Sequence, residues 1–190
     1  MNGIVVIAAS QGGRDPLFRI IAALPTPCTA AIFVVMHIGA YPSMLPELLC
    51  KNGKTPAMYP RNGMLIEAGH IYVAPPDHHM LVEAVSIRLT RTPKVSHTRP
   101  AADPTFISAA IAHGSRVIGI VLSGGDGDGA AGLRAIKEHG GTSFVQDPHE
   151  AAVPSMPHSA IATAHPDSIL STEEIARRVH LFCLVKGHGY

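Results

Sequence analysis

Residues 121–133 read VLSGGDGDGAAGL. The preceding run, residues 116–122, is apolar and β-branched, and residues 130–139 carry apolar side chains at helical spacing, so the glycines fall at a strand-to-helix turn. The same unit recurs along the chain: residues 4–9 then 16–24, 31–36 then 42–51, and 142–145 then 156–164. Strands without polar alternation are expected where both faces of a sheet are covered. Strand-helix alternation of this kind predicts an α/β fold, a mostly parallel sheet flanked by helices.

The middle of the chain departs from that rhythm. Residues 71–74, 79–83 and 86–90 are short and closely linked, which predicts local antiparallel pairing, a hairpin inserted in the α/β domain. Residues 91–104 hold three prolines and no periodicity, a loop leading into a helix opened by Asp103 with Pro104 at its first position. A last helix over 172–186 is capped by Ser171 or Thr172, with Glu174 close behind.

The chain has 190 residues, 46% hydrophobic and 15% charged, with a formal net charge of +1. That length fits one domain spanning 1–190. A near-neutral chain without a basic run lacks the cations that neutralise phosphates, which argues against nucleic acid as a partner. The three cysteines, Cys28, Cys50 and Cys183, are widely spaced and form neither a disulfide framework nor a zinc knuckle, as suits a reducing cytoplasm. No apolar run reaches the length of a membrane span.

Ligands and catalysts gather at the carboxyl ends of parallel strands, and three such ends are unusual here. Residues 8–13, AASQGG, would present Ser10 at a strand-to-helix turn, as a nucleophile or as the cap of the next helix. Residues 34–39, VVMHIG, end a second strand with His37, and successive strands can bring Ser10 and His37 side by side. The third end is residues 121–133. Gly127, Gly129 and Gly132 fit the G-x-G-x-x-G of a dinucleotide-binding turn, with Asp147 where a ribose-binding acid would stand. Yet Asp126 and Asp128 lie inside that turn, and carboxylates at contact repel a pyrophosphate. Aspartates held at a strand end suit the orientation of a histidine, so Ser10, His37 and one of Asp126 or Asp128 form a candidate hydrolytic triad. Helix capping and a calcium site are the competing uses of the two acids. Asp77-His78-His79 invites a metal, but adjacent side chains on a strand point to opposite faces, and no metal site is expected.

In this order, residues 7–13 (IAASQGG), Met36-His37, residues 71–80 (IYVAPPDHHM), residues 99–103 (RPAAD), residues 122–132 and the stretch from Gln146-Asp147 to Met156-Pro157 resemble the catalytic domain of the chemotaxis protein-glutamate methylesterases, the CheB type. The resemblance runs from about residue 4 to about residue 170. It implies a doubly wound, Rossmann-like three-layer domain with the antiparallel hairpin beside the active site. It implies Ser10 as nucleophile, His37 as general base and Asp128 as orienting acid, since Asp128 falls at the family's D-G-A-A-G. It implies hydrolysis of glutamate γ-methyl esters on methylated cytoplasmic helices of chemoreceptors, with release of methanol, and in some members deamidation of receptor glutamines. No cofactor is implied. Backbone N–H groups of Gln11, Gly124 and Gly125 are the candidate oxyanion donors; Gln11 stands where the family often has Thr, and Gly125 where it often has Met.

Family members usually carry an N-terminal receiver domain, whereas here Met1 immediately precedes the first strand. The expectation is a stand-alone esterase or one module of a larger architecture, with a separate regulatory or receiver protein as a possible partner. Two other functions are weighed against the esterase: a dinucleotide-binding oxidoreductase using Gly127, Gly129, Gly132 and Asp147, and a catalytically silent module that docks on receptor bundles.

Overall fold

Strand β1 (Gly3–Ala9) is buried at every position, which its pleat permits only when both faces of the sheet are covered. Its residues divide by parity. Val5, Ile7 and Ala9 enter one hydrophobic cluster and Ile4, Val6 and Ala8 the other. The computed structural model describes residues 3–37 and 43–184, and the elements that follow lie within them. They are α1 (Arg14–Ala22), β2 (Ala30–Met36), α2 (Leu45–Asn52), β3 (Ala57–Met58), β4 (Met64–Leu65), β5 (Ile71–Val73), β6 (His79–Val82) and β7 (Ser86–Thr90). Then come α3 (Ala102–His113), β8 (Val117–Val121), α4 (Ala130–Glu138), β9 (Thr142–Gln146), α5 (Ser155–Ala164), β10 (Ser168–Leu170) and α6 (Thr172–Cys183).

Seven strands form one parallel sheet in the order β10-β9-β8-β1-β2-β5-β3. From β1 the chain winds outward one way through β2 and later the other way through β8. The switch point of the sheet therefore lies between β1 and β8, where a crevice opens at the carboxyl edge. Leu17, Ile20 and Ile21 of α1, Leu49 of α2 and Ile175 and Val179 of α6 cover one face. Phe106, Ala109 and Ala110 of α3, Leu133 and Ile136 of α4 and Ala160 of α5 cover the other. Among the described residues no helix is long and apolar enough to cross a membrane.

The antiparallel pairing that the sequence predicts is present, but its strands are composed differently. β6 pairs with β7, and β4 completes a three-stranded sheet in the order β4-β7-β6. The segment 71–74 does not belong to it: β5 joins the main sheet, parallel to β2 and β3. Its residues are all buried, and a three-residue strand is too short to reveal by alternation which sheet it enters. The helix after the proline-rich loop begins at Ala102, so Asp103 lies in its first turn and is not the cap. The first helix begins at Arg14, two residues earlier than its periodicity suggests. Residue 42, placed by the sequence at the start of a helix, and residues 185–186, placed at the end of the last one, lie outside the described residues. Ser171 caps α6 as expected, its side chain accepting from Glu174 N at 3.2 Å.

Candidate active site

Parallel register fixes which strand ends meet. Ala9 of β1 is level with Met36 of β2, and His37 N–H donates to Ala9 O at 3.2 Å. On the other side Leu122 N–H donates to Ala8 O, and Ser10 N–H to Ser123 O, both at 2.9 Å. Ser10 thus leaves the sheet between His37 and the 122–129 loop, at the switch point. The turn that carries it is tight: Gly13 N–H bonds Ser10 O at 2.9 Å, and Gly12 has φ +76°, a left-handed conformation that favours glycine. Gly124 is needed for another reason. A Cβ there would come 1.9 Å from Met156 Sδ and 2.9 Å from Ser10 Cβ, so only a bare backbone lets the loop lie against the serine.

His37 is nearly buried, its side chain 11% exposed, and its Nε2 lies 2.8 Å from Asp128 Oδ2. A carboxylate only accepts, so the hydrogen-bond network assigns the proton of the neutral ring to Nε2 and the lone pair to Nδ1. Asp128 is 1% exposed and also accepts from Ala102 N at 2.5 Å and Asp103 N at 3.0 Å. These are first-turn N–H groups of α3, whose own N-cap, Ala101, supplies no side-chain bond. The loop before α4 therefore caps α3 and holds the imidazole with the same carboxylate. Asp103 returns the favour, its Oδ1 accepting from Gly132 N in α4 at 2.7 Å. Burial above all, together with the nearby Asp128 and Asp126 charges, pushes the Asp103 carboxyl pKa up despite that bond.

Asp126 stands on the other side of the ring, with Oδ2 3.2 Å from His37 Nδ1. The contact is close but poorly directed, and Nδ1 is buried without an aligned hydrogen bond. Burial pulls the imidazole pKa down, but the bond and charge of Asp128, with those of Asp126, outweigh it and hold the ring above the ordinary histidine value. Among the described residues Ser10 Oγ makes no hydrogen bond to His37. The serine and the imidazole are neighbours at the carboxyl edge of adjacent strands.

Of the three candidate oxyanion donors, Gly124 is excluded, because its N–H is spent on Val153 O at 3.0 Å. Gln11 N–H and Gly125 N–H carry no backbone bond among the described residues. The loop around them is tied from below by Ser123 and Gln146, which lie in the stretches of family resemblance but receive no role from the sequence. Ser123 Oγ donates to Gln11 O at 2.8 Å and accepts from Val153 N at 2.9 Å, while Ser123 N–H donates to Gln146 Oε1 at 2.9 Å. Their signals in sequence are their positions at strand ends and within the stretches that resemble the family. A cavity of about 290 Å³ borders Gly12 between Asp15, Arg19, Gln146 and Glu150, but Ser10, His37 and Asp128 do not line it.

The glycines of the dinucleotide reading have other uses. Gly132 lies where α4 meets α3, its missing Cβ 2.4 Å from Phe106 Cβ. The N–H that a pyrophosphate would use there is occupied by Asp103. Asp147 makes a turn, its Oδ1 accepting from His149 N at 2.9 Å. His79 is fully buried, with Nδ1 accepting from Ala101 N and Nε2 bonded to Pro93 O, whereas the ring nitrogens of His78 meet Pro76 O and Arg91. The two adjacent histidines do not share a ligand position.

The family model described as CheB methylesterase matches residues 5–179. The chain belongs to the CheB methylesterase family. Its fold is that of the Thermotoga maritima CheB methylesterase catalytic domain, with a TM-score of 0.91 at 31% identity, covering 95% of this chain and 98% of that one. A relative from Anaeromyxobacter dehalogenans, named protein-glutamate methylesterase/protein-glutamine glutaminase 3, is 37% identical over 182 residues, 94% of this chain and 53% of the relative. A second, from Leptospira interrogans, carries the same activities in its name as putative and is 37% identical over 90% of both chains. The chain thus spans about half the length of the first relative and most of the second.

Proposed function

We propose that residues 1–190 form one CheB-type catalytic domain, a serine hydrolase that cleaves glutamate γ-methyl esters on the cytoplasmic helices of chemoreceptors. The observation that carries this reading is the 2.8 Å bond between His37 Nε2 and Asp128 Oδ2, made one strand away from Ser10 at the switch point of the sheet. With Nε2 committed to Asp128, Nδ1 is the nitrogen left to act as base. Nδ1 takes the Ser10 proton as Oγ attacks the ester carbonyl, and Asp128 steadies the imidazolium. In this reading the Gln11 and Gly125 N–H groups hold the oxyanion. The C–O bond breaks, the imidazolium protonates the leaving methoxide, and methanol departs. Water then attacks the acyl-serine, giving a proton to Nδ1; the acyl–Oγ bond breaks, the imidazolium returns that proton to Ser10 Oγ, and glutamate is released. On a glutamine side chain the same steps would expel ammonia. No step calls for a cofactor, and the proposed setting is the cytoplasm, where receptor signalling helices lie.

The test is methanol release from a methylated receptor cytoplasmic fragment by wild type and by Ser10→Ala. The variant should fold and lose nearly all turnover, since removing a triad nucleophile costs on the order of a millionfold in a well-studied protease. Turnover by folded Ser10→Ala at the wild-type level would remove Ser10 from this role.

A further inference from the structure

The sequence offers Asp126 and Asp128 as two carboxylates of one loop, whereas the structure puts them on opposite nitrogens of one ring. Asp128 Oδ2 meets Nε2 at 2.8 Å and Asp126 Oδ2 lies 3.2 Å from Nδ1. Asp126 is oriented, not adrift: its Oδ1 accepts from Asp128 N at 3.1 Å, so the other oxygen faces the imidazole. If Nδ1 kept its lone pair, two acceptors would oppose each other across that gap. If Nδ1 carries a proton, the contact becomes an attraction between imidazolium and carboxylate. The arrangement therefore suits a ring protonated on both nitrogens, and a ring in that state cannot accept the proton of Ser10.

Given the base role assigned to His37 above, we propose that Asp126 is a positioning residue that gates the base, pairing with protonated Nδ1 in the resting domain and withdrawing before Ser10 is activated. The charged groups facing the ring from the described residues are Asp128 and Asp126, with Asp103 of α3 behind Asp128; among those residues, neither a lysine nor an arginine pairs with any of the three acids. Withdrawal has a route. The Asp126 side chain is 35% exposed, and beside it the space around Gly125 is open, the nearest atom to an added Cβ being Gln11 Oε1 at 3.8 Å. As the carboxylate leaves, the Nδ1 proton passes to water, and the freed lone pair can turn to Ser10 Oγ.

The experiment compares wild type with Asp126→Asn, which keeps the Oδ1 acceptor but removes the charge, and with Asp126→Ser as a second variant should the first not fold. His37 is titrated by NMR of ¹⁵N-labelled imidazoles, its signal assigned from a His37→Gln spectrum, and kcat/KM for methyl-ester hydrolysis is followed against pH. The His37 midpoint should lie above the ordinary histidine value in wild type and fall by on the order of one unit in the variants. The acid limb of kcat/KM should move with it, raising turnover near pH 6 by roughly five- to tenfold. An unchanged midpoint overturns the gate, as does a lowered midpoint with no gain at acid pH in enzyme that turns over normally at pH 8. Absence of Ser10-dependent turnover in wild type at every pH instead sinks the hydrolase reading, and the gate with it.

Discussion

At the scale of the residue, a carboxylate is defined by what it can accept. Asp128 has one imidazole and two backbone N–H groups around it, all donors, with Oδ2 accepting two of them and Oδ1 the third. In an asparagine one of the two oxygens becomes an NH₂: in the Oδ1 place it would face Asp103 N, and in the Oδ2 place it would face both Ala102 N and His37 Nε2. In either orientation a buried donor meets a donor, and with the NH₂ in the Oδ2 place the ring is relieved only if its proton moves to Nδ1, the nitrogen proposed as the base. Asp128→Asn should therefore lower kcat by roughly ten thousandfold, as the corresponding change does in an established triad, with a smaller effect on KM. Steady-state kinetics on the methylated fragment checks this, and a loss under tenfold would show that Asp128 is only a helix cap. Asp126→Asn should do the opposite at acid pH, so two acids two residues apart are expected to respond with opposite sign.

At the scale of the element, the site depends on how closely α3 and α4 approach. Asp128, just before α4, caps α3, and Asp103 within α3 caps α4. The exchange works only at short range, and Gly132 makes that range possible by leaving room for Phe106. Gly132→Ala places a Cβ 2.4 Å from Phe106 Cβ and 3.2 Å from Asp103 Cα, so the helices must part. Although alanine is the better helix former, by about 1 kcal/mol, overpacking typically costs about 1–3 kcal/mol. Net destabilisation by chemical denaturation is expected, together with reduced turnover as Asp128 loses its α3 donors. A variant of unchanged or raised stability and full activity would mean that the helix contact does not position the acid.

At the scale of the whole molecule, the two hydrophobic clusters are not separable. Strands β2, β5, β8 and β9 send side chains to both, as β1 does, so loss of one cluster exposes the back of the other. Phe33 tests this from β2: it is fully buried and stacks on Tyr72 with ring centroids 5.2 Å apart. Phe33→Ala should cost about 3–5 kcal/mol, and far-UV circular dichroism and tyrosine fluorescence should report one shared transition. Separated transitions would show that the two faces unfold independently.

Much of this was legible in the chain because it is local. Residues 4–9 and 31–36 are apolar without alternation, which only a strand covered on both faces requires, and the small residues after them mark turns at the carboxyl edge. Ser10 and His37 could be named from their places at those ends, and the register of β1 with β2 then makes them neighbours. Resemblance to a family selected Asp128 over Asp126, but periodicity could not, since both lie in a glycine-rich loop without a repeat. Their separate placements depend on α3, whose first-turn N–H groups, 26 and 25 residues from Asp128 in sequence, draw it inward and leave Asp126 to face the other nitrogen. The same holds for Gly124, whose N–H looked free for an oxyanion until Val153 closed over it, and for β5, too short to show which sheet would take it. A residue's secondary structure is set mainly by its neighbours along the chain, but the partner of a polar atom is set by whatever the folded chain brings against it.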